Sequence, residues 1–159
     1  CVLIGNGIDI LSGNGPEPLE RGNGNAGRGR PKRRLFINRF PDHARGVART
    51  FSIERARQSN FSRKLNYVVM EDGQLRLGAI KNDVGGGHID LADGRPVQAA
   101  GEVKIIDGKV KYIDNSSGHY VPIGPEVREA AEAAFQRAGF DAQGKFVEKV
   151  WNGSKWVPK

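Results

Sequence analysis

Three short dipeptides govern how the second half of this chain can fold. Asp72-Gly73, Asp107-Gly108 and Asn152-Gly153 each stand between runs of strand-forming residues. Asp-Gly and Asn-Gly readily adopt the positive φ that a tight turn between right-twisted strands demands, so each marks a β-hairpin. NYVVM at 66–70 therefore turns back through Glu71 to Gln74 into LRLGAI. EVKIIDGKVKYI forms a second hairpin, and KFVEKVWNGSKWV a third with Trp151 and Trp156 flanking its turn.

If Asp107 and Gly108 are the two turn residues, Ile105 faces Val110 and Val103 faces Tyr112 on the core side. The opposite side then sets Lys104 against Lys111, a like-charge pair that an anion lying over the sheet would relieve.

Between the second and third hairpins lies GPEVREAAEAAFQRAGF. Pro125 suits a first helical turn, Glu126 and Glu129 favour its positive end, and Val127, Ala131, Ala134, Phe135 and Ala138 make one apolar stripe. Gly139 terminates the helix. Upstream, residues 43–66 place Val47, Phe51, Ile53, Ala56 and Phe61 among many arginines, a loose period for one or two short helices with a basic outer face. RRLFINRF before Pro41 reads as a short extended segment. The fold class is therefore α+β: N-terminal basic helices, a twisted antiparallel sheet, one amphipathic helix and a closing hairpin.

The 159 residues fit one domain. Residues 12–30 are rich in Gly, Asn and Pro with little to bury, so residues 1–34 are expected to be a linker and basic arm and residues 35–159 the folded domain. Cys1 is the single cysteine, which excludes a disulfide within this chain. A chain opening on Cys rather than Met suggests a cut from something longer. No apolar run is long enough to cross a bilayer, and no membrane partner is expected.

The net charge of +7 is unevenly spread. Residues 21–64 carry 13 Lys and Arg against only Asp42 and Glu54, a net +11, while the remaining 12 basic and 16 acidic residues give −4. Such a basic stretch points to phosphate backbones, and nucleic acid is the leading partner.

Three histidines are present, His43, His88 and His119. His43, beside Asp42, reads as a surface residue. His88 follows a run of glycines in VGGGHIDLADGR, and His119 lies in NSSGHY at 115–120. Two imidazoles are the least equipment for metal-free acid and base catalysis near neutral pH. Cleavage of RNA by its own 2′-hydroxyl needs one base, one acid and cations for the charged transition state. His88 and His119 fit the first two roles; Arg95, Lys104 and Lys109 fit the third, with Lys111, Arg33 and Arg34 as further phosphate contacts. Ser116, Ser117 and Tyr120 are placed to orient the phosphate. Asp90, Asp93 and Glu102 are scattered through turns and strands, so no cofactor or metal is expected.

The stretch HIDLADGRPVQAAGEVKIIDGKVKYIDNSSGHYVP, residues 88–122, resembles the C-terminal toxin domains of bacterial polymorphic toxins of the Rhs and contact-dependent inhibition types, through His, Ala-Gly-Glu and Ser-Gly-His-Tyr in order. The resemblance covers a fifth to a quarter of the chain. It implies an effector released from a larger carrier, secreted or injected to act in the target-cell cytoplasm, and neutralised in the producer by an immunity protein. It also implies His88, Glu102, Ser117, His119 and Tyr120 as site residues. The reaction stays open between a metal-independent RNase acting on tRNA or rRNA and an ADP-ribosyltransferase. The latter would use NAD, with Tyr120 at the nicotinamide and Glu102 or Glu148 stabilising the developing cation. A non-enzymatic RNA-binding module is the third reading.

Overall fold

The structure is a computed structural model that describes residues 34–43, 46–80 and 87–159. The expected linker and arm through Arg33, together with Gly85 and Gly86 of the glycine tract, lie outside the described residues.

In chain order the elements are β1 (Thr50–Phe51), α1 (Ile53–Ala56), β2 (Arg63–Met70), β3 (Leu75–Gly78), α2 (His88–Leu91), β4 (Val97–Ile106), β5 (Lys109–Asp114), α3 (Pro125–Arg137), β6 (Phe146–Val147), β7 (Lys149–Trp151) and β8 (Trp156–Pro158). Six strands form one sheet in the order β1-β3-β2-β4-β5-β6, and β7 and β8 pair by themselves. Every rung of the large sheet is antiparallel except β5 with β6. The architecture is α+β.

All three turn dipeptides close hairpins. Gly73, Gly108 and Gly153 take φ of 90°, 76° and 105°, the left-handed region open to glycine at little cost. In the second hairpin Ile106 pairs with Lys109 and Ile105 with Val110, as the turn requires. Beyond that the register departs from the sequence expectation. A bulge between Lys104 and Ile105 sets Lys104 opposite Tyr112 and Val103 opposite Ile113. The expected pairs of Lys104 with Lys111 and Val103 with Tyr112 do not form, because one extra residue shifts every later side chain to the other face. In the third hairpin Trp151 pairs with Trp156, but Phe146–Val147 leaves it and joins the large sheet in parallel beside Ile113 and Asp114.

The sheet has two distinct faces. Leu65, Tyr67 and Val69 of β2 and Ala99, Val103 and Ile105 of β4 are fully buried on one side. There Tyr67 meets Phe135 of α3 edge-on, with ring centroids 5.3 Å apart. Pro125 opens α3, Val127, Ala130, Ala131, Ala134 and Phe135 are its buried residues, and Gly139 follows at φ 102°. The other face, alternate in sequence, carries Gly78, against which Leu91 of α2 packs, and the polar side chains Lys64, Asn66, Glu102 and Lys104.

The basic segment contains less helix than its periodicity suggests. Among the described residues of 43–66 only Ile53–Ala56 is helical, capped by Ser52, whose hydroxyl accepts the N–H of Arg55 at 3.0 Å. Thr50–Phe51 is instead an edge strand, and Val47 is 95% exposed. Phe51 and Phe61 meet edge-on, and arginines lie over them: Arg49 and Arg63 over Phe51, Arg55 over Phe61. Part of the positive charge thus covers aromatic rings, a use that cation–π attraction favours.

Candidate functional site

The loop that follows β5 is held by its own side chains. Asp114, wholly buried, accepts the Ser116 N–H and hydroxyl at 3.0 and 2.6 Å and the Glu102 N–H at 2.8 Å. Lys149 Nζ pairs with its other oxygen as an ion at 2.8 Å. Asn115 donates to the carbonyls of Pro122 and Lys149 and accepts the Lys149 N–H. Ser117 is buried and its hydroxyl accepts from the Tyr120 N–H at 3.4 Å. Tyr120 is buried, and its hydroxyl donates to the Arg95 carbonyl at 2.8 Å. With both ends tied down, Val121 is held at φ 44°, a strained conformation for a β-branched residue. The outcome is one partly exposed ring between buried anchors, that of His119.

A second segment brings it a partner. The Arg39 N–H donates to the His119 carbonyl at 2.7 Å, and the His43 N–H closes a turn onto Phe40 at 3.0 Å. Phe40 stacks on His43 and meets His119 edge-on. His43 Nδ1 and His119 Nε2 lie 3.0 Å apart. Burial pushes the His119 pKa below its usual value, the charge of His43 pushes it further, and Asp90 opposes both. Asp90 is itself fixed in place, accepting the Gly46 N–H at 2.7 Å.

His88 begins α2 and is buried, its Nε2 2.8 Å from the Gly101 carbonyl. A carbonyl only accepts, so Nε2 carries the hydrogen. Burial lowers its pKa most; the Gly101 bond, Glu102 and Asp114 raise it, and His119 lowers it again. His88 is thus within electrostatic reach of Glu102, Asp114 and His119. Glu102 in turn pairs with Lys64 at 2.9 Å. Gly101 makes the crossing possible: a Cβ there would run into the Asp114 carbonyl, the same carbonyl that accepts the Tyr67 hydroxyl at 2.7 Å.

The structure thus sorts the residues expected from sequence. His88 lies against β4 beside Glu102, with Lys104 on the same sheet face as Glu102. Being buried with its Nε2 bonded to the Gly101 carbonyl, His88 is not presented as the acid or base expected of it, and the ring that meets His119 is that of His43. Ser117 and Tyr120 do not present their hydroxyls to a ligand, because burial and backbone hydrogen bonds engage both groups. They build the loop instead. Lys109 lines a different cleft with Arg57, Gly108, Phe140 and Lys145, and Arg95 another with Met70, Glu71, Asp72 and Pro96. Arg34 lies over Phe36 and reaches the Ile123 carbonyl at 3.5 Å. Lys111 is the exposed extra residue of the bulge, and Arg33 is outside the described residues. Glu148 is engaged with Lys159 at the C-terminus at 3.3 Å.

His43, Asp90 and Lys64 were not legible as site residues. His43 and His119 are 76 positions apart, and nothing in either neighbourhood encodes the pairing. Among the described residues no three His, Cys, Asp or Glu side chains converge as a metal site, and no helix is long and apolar enough to cross a membrane. Fold and site together define an α+β domain bearing a histidine cluster beside a polar sheet face. No protein-family model, curated protein or solved structure matches the chain.

Proposed function

We propose that this domain is an RNA-cleaving effector of the polymorphic-toxin kind, in which the His43–His119 pair performs metal-independent acid–base catalysis. The observation that carries the reading is the 3.0 Å contact between the two rings. Two uncharged imidazoles sharing one hydrogen present one lone pair and one N–H at their outer nitrogens, whichever way that hydrogen is shared. A single pair thus supplies both groups that 2′-hydroxyl attack on phosphorus requires.

In that step the lone pair takes the 2′-hydroxyl proton, the 2′-oxygen bonds to phosphorus, the bond from phosphorus to the 5′-oxygen breaks, the outer N–H protonates that leaving oxygen, and the shared hydrogen crosses to the ring that gave up its proton, so that both imidazoles end uncharged. The product carries a 2′,3′-cyclic phosphate. The depressed pKa of His119 favours the uncharged form that a base needs. Buried His88 is a positioning residue that fixes β4 beneath the site through Gly101. Lys104 and Lys64 supply positive charge on the adjoining sheet face.

The resemblance of residues 88–122 to C-terminal toxin domains supports a larger carrier and a neutralising immunity protein. ADP-ribosyl transfer is less well supported, since the Tyr120 hydroxyl is engaged inside the core and Glu148 is paired with Lys159.

The test is purified protein on total RNA in the presence of a chelator, with and without labelled NAD. Cleavage leaving cyclic phosphate ends, reduced about 10²- to 10⁴-fold in His43→Ala and in His119→Ala, is the expected result. Intact RNA from a protein that still poisons cells, or label transferred from NAD, overturns it.

A further inference from the structure

The bulge in β5 sends an aromatic ring to an unusual place. A regular ladder from the Asp107-Gly108 turn would set Tyr112 on the core side and Lys111 against Lys104. With the extra residue, Tyr112 stands opposite Lys104, on the polar face shared with Lys64 and Glu102, where it is only partly buried. Lys149 Nζ lies 5.6 Å from its ring centroid, and Lys64 is close enough for the phenol to stabilise its charged form, after the larger effect of Glu102. Lys64 is ion-paired to Glu102 and Lys149 to Asp114. Lys104 is exposed and has no carboxylate partner among the described residues.

An aromatic ring set among lysines on an antiparallel sheet is the arrangement that holds single-stranded RNA elsewhere: a base stacks on the ring and the flanking cations take the phosphates. Bulges re-aim side chains in this way beside functional sites. The patch adjoins the part of β4 that His88 holds: Lys64 pairs with Glu102 at 2.9 Å, and Glu102 follows Gly101, whose carbonyl bonds the His88 ring at 2.8 Å.

We propose that Tyr112 is a stacking platform for one base of a single-stranded RNA, with Lys104 holding the adjoining phosphate. The proposal deepens the RNase reading and rests on it for the identity of the ligand, but its test does not require cleavage.

The probe is a fluorescein-labelled 2′-O-methyl RNA hexamer, which lacks the attacking hydroxyl, followed by anisotropy across a salt series. Wild-type protein is expected to bind it, Tyr112→Ala to weaken binding between about fivefold and about a hundredfold, and Tyr112→Phe to retain it. Lys104→Gln, an exposed change that leaves folding intact, is expected to reduce the slope of log affinity against log salt by about 0.7. Failure of wild-type protein to bind, or equal binding by wild type, Tyr112→Ala and Lys104→Gln, overturns the platform. If the unmodified hexamer is cut while those variants bind as wild type does, the platform falls and the RNase reading stands. If the platform variants lose binding while the unmodified hexamer is never cut, the RNase reading falls and the platform stands.

Discussion

His43 Nδ1 lies 3.0 Å from His119 Nε2, joining two loops 76 residues apart. The contact depends on backbone as much as on the rings, because the Arg39 N–H fastens one loop to the His119 carbonyl. It also makes the titration of one ring depend on the other, which can be measured without any substrate.

The charge of His43 lowers the His119 pKa, second only to burial. His43→Ala removes that charge and opens the site, so the His119 pKa is expected to rise toward the ordinary value near 6.5. A histidine-selective NMR titration of wild type and variant reads it directly. An unmoved or lowered His119 resonance midpoint would contradict the pairing. For activity, the double variant should be scarcely worse than either single one, since the two rings act as a unit.

His88 links pH to stability. Its folded pKa is lowered, chiefly by burial, so the unfolded chain, with an imidazole pKa near about 6.5, binds a proton at pH values where the folded chain does not. Stability is therefore full above that value and is lost as pH falls from there through the folded pKa. His119 acts with the same sign. Urea unfolding at pH 7.5 and at pH 5.5 should show the loss, and His88→Gln, which keeps an N–H donor for Gly101, should diminish it. A pH dependence identical in wild type and His88→Gln would refute the assignment.

Gly101→Ala tests the close approach beneath the site. The new methyl meets the Asp114 carbonyl, a backbone atom with little room to give. The expected cost is about 3 kcal/mol, read as a drop in denaturation midpoint. Gly118→Ala, with nothing within 4 Å of the added atom, should lose far less. Equal effects would remove the steric explanation.

Asn115 bolts the closing hairpin to the loop through two hydrogen bonds with Lys149 and braces the loop itself through a third to the Pro122 carbonyl. Asn115→Ala should destabilise the protein by about 2 to 3 kcal/mol and release β7 and β8 first. Both tryptophans of the chain lie in that hairpin. The expected readouts are a change in tryptophan emission and faster proteolysis within residues 146–159. Unchanged emission and cleavage would show that the hairpin is held by something else.

Local chemistry made much of the fold legible. The three Gly turns, the apolar stripe of α3 with Pro125 before it and Gly139 after it, and the α+β order are all dictated within a few residues of themselves. The basic segment was harder to read, because arginines interleaved with Phe51 and Phe61 mimic a helical period while serving as covers for aromatic rings. Lys104 was legible as a residue for the polar face, but its neighbour was not. A bulge is a compromise between turn and sheet, and nothing in EVKIIDGKVKYI states where the extra residue falls.

The candidate site was legible only by residue type. His88, Glu102 and His119 stood out from the sequence; His88 does lie beside Glu102, but the ring against His119 is His43, and the roles shift once burial is known. Tyr120 and Ser117 turn inward because NSSGHY must satisfy its own backbone groups, and His88 turns inward to the Gly101 carbonyl.

By itself the sequence determined where the chain reverses, which helix face is apolar and where positive charge accumulates, because each of these depends on near neighbours. Only the tertiary structure decided that His43 meets His119, that Asp114 underlies the loop, and that Tyr112 faces the lysines. Those relationships join residues tens of positions apart, and sheet register together with burial, not local preference, sets such distances.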